Sequence, residues 1–193
     1  MIPSSRRLAL WLGLAGVLLG SRVSAQILAP GPPGPFVIDV RGATSGIPAS
    51  PGLYPTRTET FTVPARGYGI DVGGHVYPLS LGPARLGIGV NLTYVRGTSV
   101  DAATTIRTID PQISFNFGTA NGWSYLSAGL GTARVNAGTS VSVQAINAGG
   151  GARWFLTRHT AVSFDIRLHK LSAEGATMPA STLVSASVGL SLK

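Results

Sequence analysis

Ten side chains able to carry charge or move a proton share one spacing rule. They are Asp39, Arg41, Asp71, His75, Arg85, Asp110, Arg153, Asp165, Arg167 and His169. Where two or more share a segment they stand an even number of residues apart, as in Asp39 and Arg41, Asp71 and His75, or the series Asp165, Arg167 and His169. Even spacing puts side chains on one face of a β-strand. The chemistry of such a face is ion pairing. Four aspartates and four arginines confined together persist only when paired and hydrogen-bonded. Metal chemistry is not expected, because His75, His159 and His169 show no ligand spacing and there is no Cys. No cofactor is expected either. "GYGIDVGG" and "GLGTAR" echo Gly-rich phosphate loops, but no helical pattern follows either of them. The ten groups are therefore read as one charge network and not as a catalytic site.

The elements that must carry them are strands. "VSFDIRLH" (162–169) alternates at every step, with Val162, Phe164, Ile166 and Leu168 on one parity and polar residues on the other. Seven further segments do the same, near 35–43, 66–77, 84–96, 106–117, 123–134, 143–155 and 182–192. Outside the first 25 residues no useful stretch follows a helical period. Connections alternate too. "PLSLGP", "GTANG" and "LTRH" after the second, fourth and sixth strands are short. The loops 44–65, 97–105, 135–142 and 171–181 are expected to be longer, and "TETFTV" in the first of them is a possible sheet extension.

Composition decides which face is dry. Charged residues are 11% of the chain, against about 25% in ordinary soluble domains. Lys and Glu number two each, and Gly is high at 26. A soluble barrel would coat its outer face with Lys and Glu. Here the polar parity is Gly, Ser, Asn and balanced charge, which suits the narrow lumen of a membrane barrel whose apolar parity faces lipid. Sorting of short turns to one side and long loops to the other points the same way, with the short turns periplasmic. Phe36, Phe117, Trp123, Tyr125 and Trp154 at one rim, and Tyr68 and Tyr94 at the other, are expected to form interfacial girdles. If "LTRH" closes a hairpin, Arg153 lies diagonal to Asp165, and an Arg153–Asp165 ion pair is expected.

The beginning, "MIPSSRRLALWLGLAGVLLGSRVSAQ", has a basic front, a short apolar run and a small-residue cleavage signal. Residues 1–25 therefore read as a cleaved signal peptide, 26–34 as a Pro-rich lead-in, and 35–193 as the barrel domain. The mature chain keeps 12 basic and 7 acidic residues. The basic residues are dispersed without a stripe, so nucleic acid is not an expected partner.

"GGGARWFLTRHTAVSFDIRLH" (149–169) and "LSAGLGTAR" (126–134) resemble the late strands of small eight-stranded outer-membrane barrels of the OmpA/OmpX type. The resemblance spans roughly 34–193. It implies an all-β fold, an eight-stranded antiparallel up-and-down transmembrane β-barrel in the outer membrane of a Gram-negative bacterium. It also implies outer-membrane lipids as surroundings, and periplasmic chaperones and the barrel-assembly machinery as partners during biogenesis. No appended peptidoglycan-binding domain is expected. One departure is the ending "VGLSLK", where such barrels finish on an aromatic residue. The expected function is non-enzymatic: a structural or interaction barrel presenting surface loops to a ligand the sequence does not identify. The alternative is a narrow channel or transporter for small or hydrophobic solutes. A lipid-modifying enzyme ranks lower, since no His lies on the lipid-facing parity.

Overall fold

The computed structural model describes residues 34–49, 53–54, 62–118, 122–175 and 178–193. The signal peptide and all but the last residue of the Pro-rich lead-in lie outside the described residues. So do residues 58–61 of "TETFTV", and Thr62 and Val63 are not in a strand.

Eight strands follow in chain order: β1 (Phe36–Gly46), β2 (Arg66–Leu81), β3 (Ala84–Thr98), β4 (Ala103–Phe117), β5 (Gly122–Asn136), β6 (Ser140–Phe155), β7 (Thr160–Leu171) and β8 (Ser181–Leu192). Each pairs antiparallel with the next. β8 returns to β1, with Ile38 opposite Leu192 and Ser45 opposite Ser185, and the barrel closes. Closure leaves no unpaired edge, which a sheet immersed in hydrocarbon requires.

Period-two alternation sorts every strand. On β3, Leu86, Ile88, Val90, Leu92 and Tyr94 point out while Gly89, Asn91 and Thr93 point in. Outward aliphatics such as Ile88, Ile109, Ile113, Leu126, Leu130 and Val188 are more than half exposed. A contiguous apolar wall of this extent is not stable against water and is the surface a bilayer covers. On β3 and on β8 the outward apolar run covers nine residues, Leu86–Tyr94 and Val184–Leu192. At the usual rise and tilt that is roughly 23 Å, close to the thickness of an outer-membrane apolar band.

β3 to β6 run on past the band toward the long loops, each 15 or 16 residues long. There the polarity inverts. Val95, Ile106, Val135, Val141, Leu171 and Leu183 point inward and are buried, joined by Ile47, Leu53, Tyr54 and Met178 from the connections. Arg96, Thr105, Arg107, Arg134 and Ser140 point out. The loops expected at 97–105 and 135–142 are consequently only tight links, 99–102 and 137–139. The alternation continues through them, but its apolar side has changed from the outer to the inner face. The longer links at this end are 47–65 and 172–180.

At the other end the links are 82–83, 118–121 and 156–159. "PLSLGP" is mostly strand: β2 continues to Leu81 across a register shift between Val76 and Leu79. Pro78, which has no N–H to give the ladder, sits within that irregularity. Gly82 makes the turn at a φ of 61°, a conformation that disfavours any side chain.

Ile113 lies at the middle of the outward band on β4. Ile113→Arg is expected to cost about 2–4 kcal/mol. The measurement is the shift in urea midpoint of the protein refolded into lipid vesicles, against Asp101→Asn in the 99–102 link as a neutral comparison.

Candidate functional site

All ten charge-bearing residues predicted from the sequence lie on the inward face of their strands. Nine of them are buried in the lumen. Arg85 is the exception. It sits near the short-turn end, half-buried, and makes no ion pair among the described residues. It is one residue from the start of β3, too near the rim to reach a carboxylate held at mid-barrel. Its place opposite the fourth carboxylate is taken by a histidine.

Asp39 is the centre. Arg153 reaches it from β6, across the lumen from β1, with Nε on Oδ1 at 2.9 Å and Nη2 on Oδ2 at 2.7 Å. This is the two-pronged geometry in which guanidinium and carboxylate match best. Arg41 adds Nη2 at 2.8 Å, and Ser191 of β8 donates a further hydrogen bond to the same carboxylate. Arg41 also donates to Asp71 Oδ1 at 3.0 Å and to Ser163 Oγ at 3.1 Å. Asp71 Oδ2 in turn accepts from Asn91 Nδ2 and from Thr93 Oγ1.

A second cluster forms around Arg167. It donates to Asp165 through Nε at 3.3 Å and Nη2 at 3.1 Å, to Asn147 Oδ1 at 3.0 Å, and to Gln112 Oε1. Gln112 Nε2 lies 2.8 Å from His75 Nε2, which accepts its proton. The fourth carboxylate, Asp110, accepts from Thr108 Oγ1 at 2.7 Å and lies 3.1 Å from His169 Nε2.

The expected Arg153–Asp165 pair is not formed. The two residues share the inner face, but Tyr125 stands between them. Its ring lies under the Arg153 guanidinium at 4.1 Å, and its hydroxyl donates to Asp165 Oδ2 at 2.7 Å. Arg153 is thereby left for Asp39, and Asp165 for Arg167. Tyr125 joins the two clusters by cation–π contact on one side and a hydrogen bond on the other. Gly151 leaves room for it, because a Cβ there would lie 2.8 Å from the Tyr125 hydroxyl. Gly87 does the same for Tyr77, whose ring a Cβ would meet at 2.5 Å.

Tyr125 and Trp123 are also a correction to the expected aromatic girdle. Both are buried in the lumen, 2% and 1% exposed. They share the inward parity of Ser127, and their closeness to a strand end outweighed that parity in the sequence reading. Phe36, Phe117 and Trp154 do face outward at the short-turn end, and Tyr68 and Tyr94 at the other. Trp154 stacks on Phe164 with ring centres 5.4 Å apart.

Trp123 instead packs on Phe155 at 4.6 Å, beside Val37 and Tyr77. Lys193 lays its ammonium over both rings, 4.7 Å from Trp123 and 4.2 Å from Phe155. Its backbone N–H donates to the His159 carbonyl at 3.0 Å. Partial burial lowers the pKa of this ammonium. The lumen is thus filled in three layers: aromatic rings with Lys193, the charge network, and the apolar cluster toward the long loops. Among the described residues no group of His, Asp or Glu could hold a metal ion.

Solved structures share this architecture, two of them as follows. Neisserial surface protein A, NspA, aligns with a TM-score of 0.61 at 14% identity, over 83% of this chain and 97% of its own. Ail, the attachment invasion locus protein of Yersinia pestis, aligns with a TM-score of 0.55 at 11% identity, over 81% of this chain and 96% of its own. The chain therefore has the fold of the small eight-stranded outer-membrane barrels. No protein-family model and no curated protein sequence matches it.

Removing the central carboxylate should expose the cost of the network. Asp39→Asn leaves Arg153 and Arg41 buried without their shared anion and is expected to destabilise by about 3–5 kcal/mol. Urea unfolding in vesicles measures it. Adding Arg153→Met to Asp39→Asn should recover part of the loss, and a double-mutant cycle reads the coupling.

Proposed function

We propose that this chain is an outer-membrane barrel of structural or interaction type, anchored by its apolar wall and presenting the 47–65 and 172–180 links at the cell surface. The observation that carries this reading is the filled lumen. The charge network links residues of all eight strands, from Asp39 on β1 to Ser191 on β8. Above it the apolar cluster is closed by Leu53, Tyr54 and Met178. An eight-stranded barrel has space for side chains but little beyond them.

That packing weighs against the channel reading. A lipid-modifying role finds no support in the histidines: His75 and His169 are engaged in the lumen, and His159 lies in the 156–159 turn with Nδ1 3.1 Å from the Lys193 carbonyl oxygen. Outer-membrane lipids are the proposed surroundings. Periplasmic chaperones and the assembly machinery are the proposed partners in biogenesis.

Two measurements test the proposal. In planar bilayers the folded protein should give no steady conductance; steady open currents abolished by Arg167→Glu would favour transport instead. In intact cells Val100→Cys, at the highly exposed tip of the 99–102 link, should react with a membrane-impermeant maleimide. Arg158→Cys in the 156–159 turn should react only after the outer membrane is permeabilised. The reverse pattern would invert the orientation.

A further inference from the structure

The outer wall carries a second group of charges that the lumen network does not use. Arg96 on β3, Arg107 on β4 and Arg134 on β5 are exposed and point outward. Arg107 and Arg134 are directly opposite partners in the β4–β5 ladder. Arg96 is opposite Thr105 on one side and Tyr68 on the other. Directly opposed like charges weaken a sheet unless an anion lies between them.

Among the described residues no such anion comes from the chain; Glu59 lies outside them. Four aspartates are committed to the lumen. Asp101 accepts from the Thr62 backbone N–H at 2.8 Å, and Glu174 belongs to the 172–180 link. Among the described residues no carboxylate points outward from any strand. The remaining polar contacts of the group are uncharged. Arg107 lies 5.3 Å over the Tyr94 ring, and Arg134 Nε donates to Ser140 Oγ at 2.9 Å.

Height on the wall identifies the missing anion. Arg96 is the next outward residue after Tyr94, which ends the apolar band on β3. Arg107 is the next outward residue beyond Ile109 on β4. Arg134 follows Leu130 and Thr132 on β5. The guanidinium groups therefore stand where acyl chains end and headgroups begin, beside the interfacial ring of Tyr94. Near the same level β1, β6 and β8 carry Thr44, Gln144 and Thr182, while β7 and β2 carry one exposed cation each, Lys170 and Arg66; among the described residues cations stand directly opposed only at Arg107 and Arg134.

We propose that Arg96, Arg107 and Arg134 form a docking site on the outer wall for a phosphorylated lipid headgroup of the outer leaflet. A phosphate between Arg107 and Arg134 accepts hydrogen bonds from both guanidinium groups, which suit phosphate oxygens in pairs. Acyl chains of the same molecule then lie along Leu92, Ile109 and Leu130. This deepens the membrane-barrel reading and rests on it.

The test uses the full mature protein in detergent micelles with bisphosphorylated lipid A as probe, and native mass spectrometry as readout. Arg107→Gln with Arg134→Gln should weaken retention of lipid A about twentyfold. Gln144→Ala, at the same level on β6, should leave it unchanged. Lipid A stripped of its phosphates should bind the native protein as weakly as the double variant binds the intact lipid. Inorganic phosphate at equal concentration should not compete. Three results would each overturn the proposal: unchanged retention by the double variant, equal retention of the stripped lipid, or displacement of lipid A by inorganic phosphate. Preferential uptake of soluble heparin would also overturn it, assigning the patch to a water-borne polyanion. Gel mobility with and without boiling is read on every sample. Failure of the native chain to show a heat-dependent shift would count against the membrane barrel itself, separately from the lipid site.

Discussion

Four aspartates are held inside a wall whose outer surface is hydrocarbon-facing, and each must find its cation or donor within the lumen. Asp39 meets this demand by taking Arg153 with both oxygens and Arg41 on one of them. Arg153 comes from β6, across the lumen from β1, so its contact exists only in the closed barrel, whereas Arg41 stands two residues from Asp39 on the same strand. Removing one partner leaves a desolvated ion, whereas the assembled set compensates itself. The geometry also explains the small residues around it. A lumen eight strands wide admits Tyr125 and Tyr77 where the neighbouring strand carries glycine, as at Gly151 and Gly87.

The second organising feature is a change of medium along each strand. In the middle of β3 the outer residues are Ile88, Val90 and Leu92, and the inner ones Gly89, Asn91 and Thr93. A few residues later Val95 is inside and Arg96 outside. The backbone and its ladder do not change; what the outer face touches does. Hydrocarbon demands apolar side chains outside and permits polar ones within. Headgroups and water reverse the preference. The inversion gives the barrel two cores, one ionic and one apolar, and places a belt of arginines where the two media meet. Lumen carboxylates are engaged with lumen partners, and among the described residues no strand carboxylate is left to face that belt.

Much of this was legible in the linear pattern. Strict alternation in "VSFDIRLH" and seven similar stretches, few Lys and Glu, and abundant Gly implied eight strands around a polar lumen. Parity also assigned each of the ten charged residues to the inner face. Two kinds of feature were hidden. Strand ends beyond Tyr94 and Ile109 looked like loops because the apolar parity switches there, and a pattern that changes sides resembles a pattern that stops. Trp123 and Tyr125 looked like girdle residues because aromatic type near a strand end suggests the interface, although their parity with Ser127 placed them inside.

What the amino-acid order determined by itself was which side of each strand is polar, since covalent geometry alternates side chains and no later event can alter that. Which arginine meets which aspartate was decided only in three dimensions. Arg153 and Asp165 are near neighbours across one hairpin, yet Tyr125 fills the space between them and sends Arg153 across the lumen to Asp39. Arg85 has the right parity but no ion-pair partner among the described residues, because parity says nothing about height along the barrel. Pairing depends on distances across a closed cylinder, and those follow from the stagger of all eight strands together.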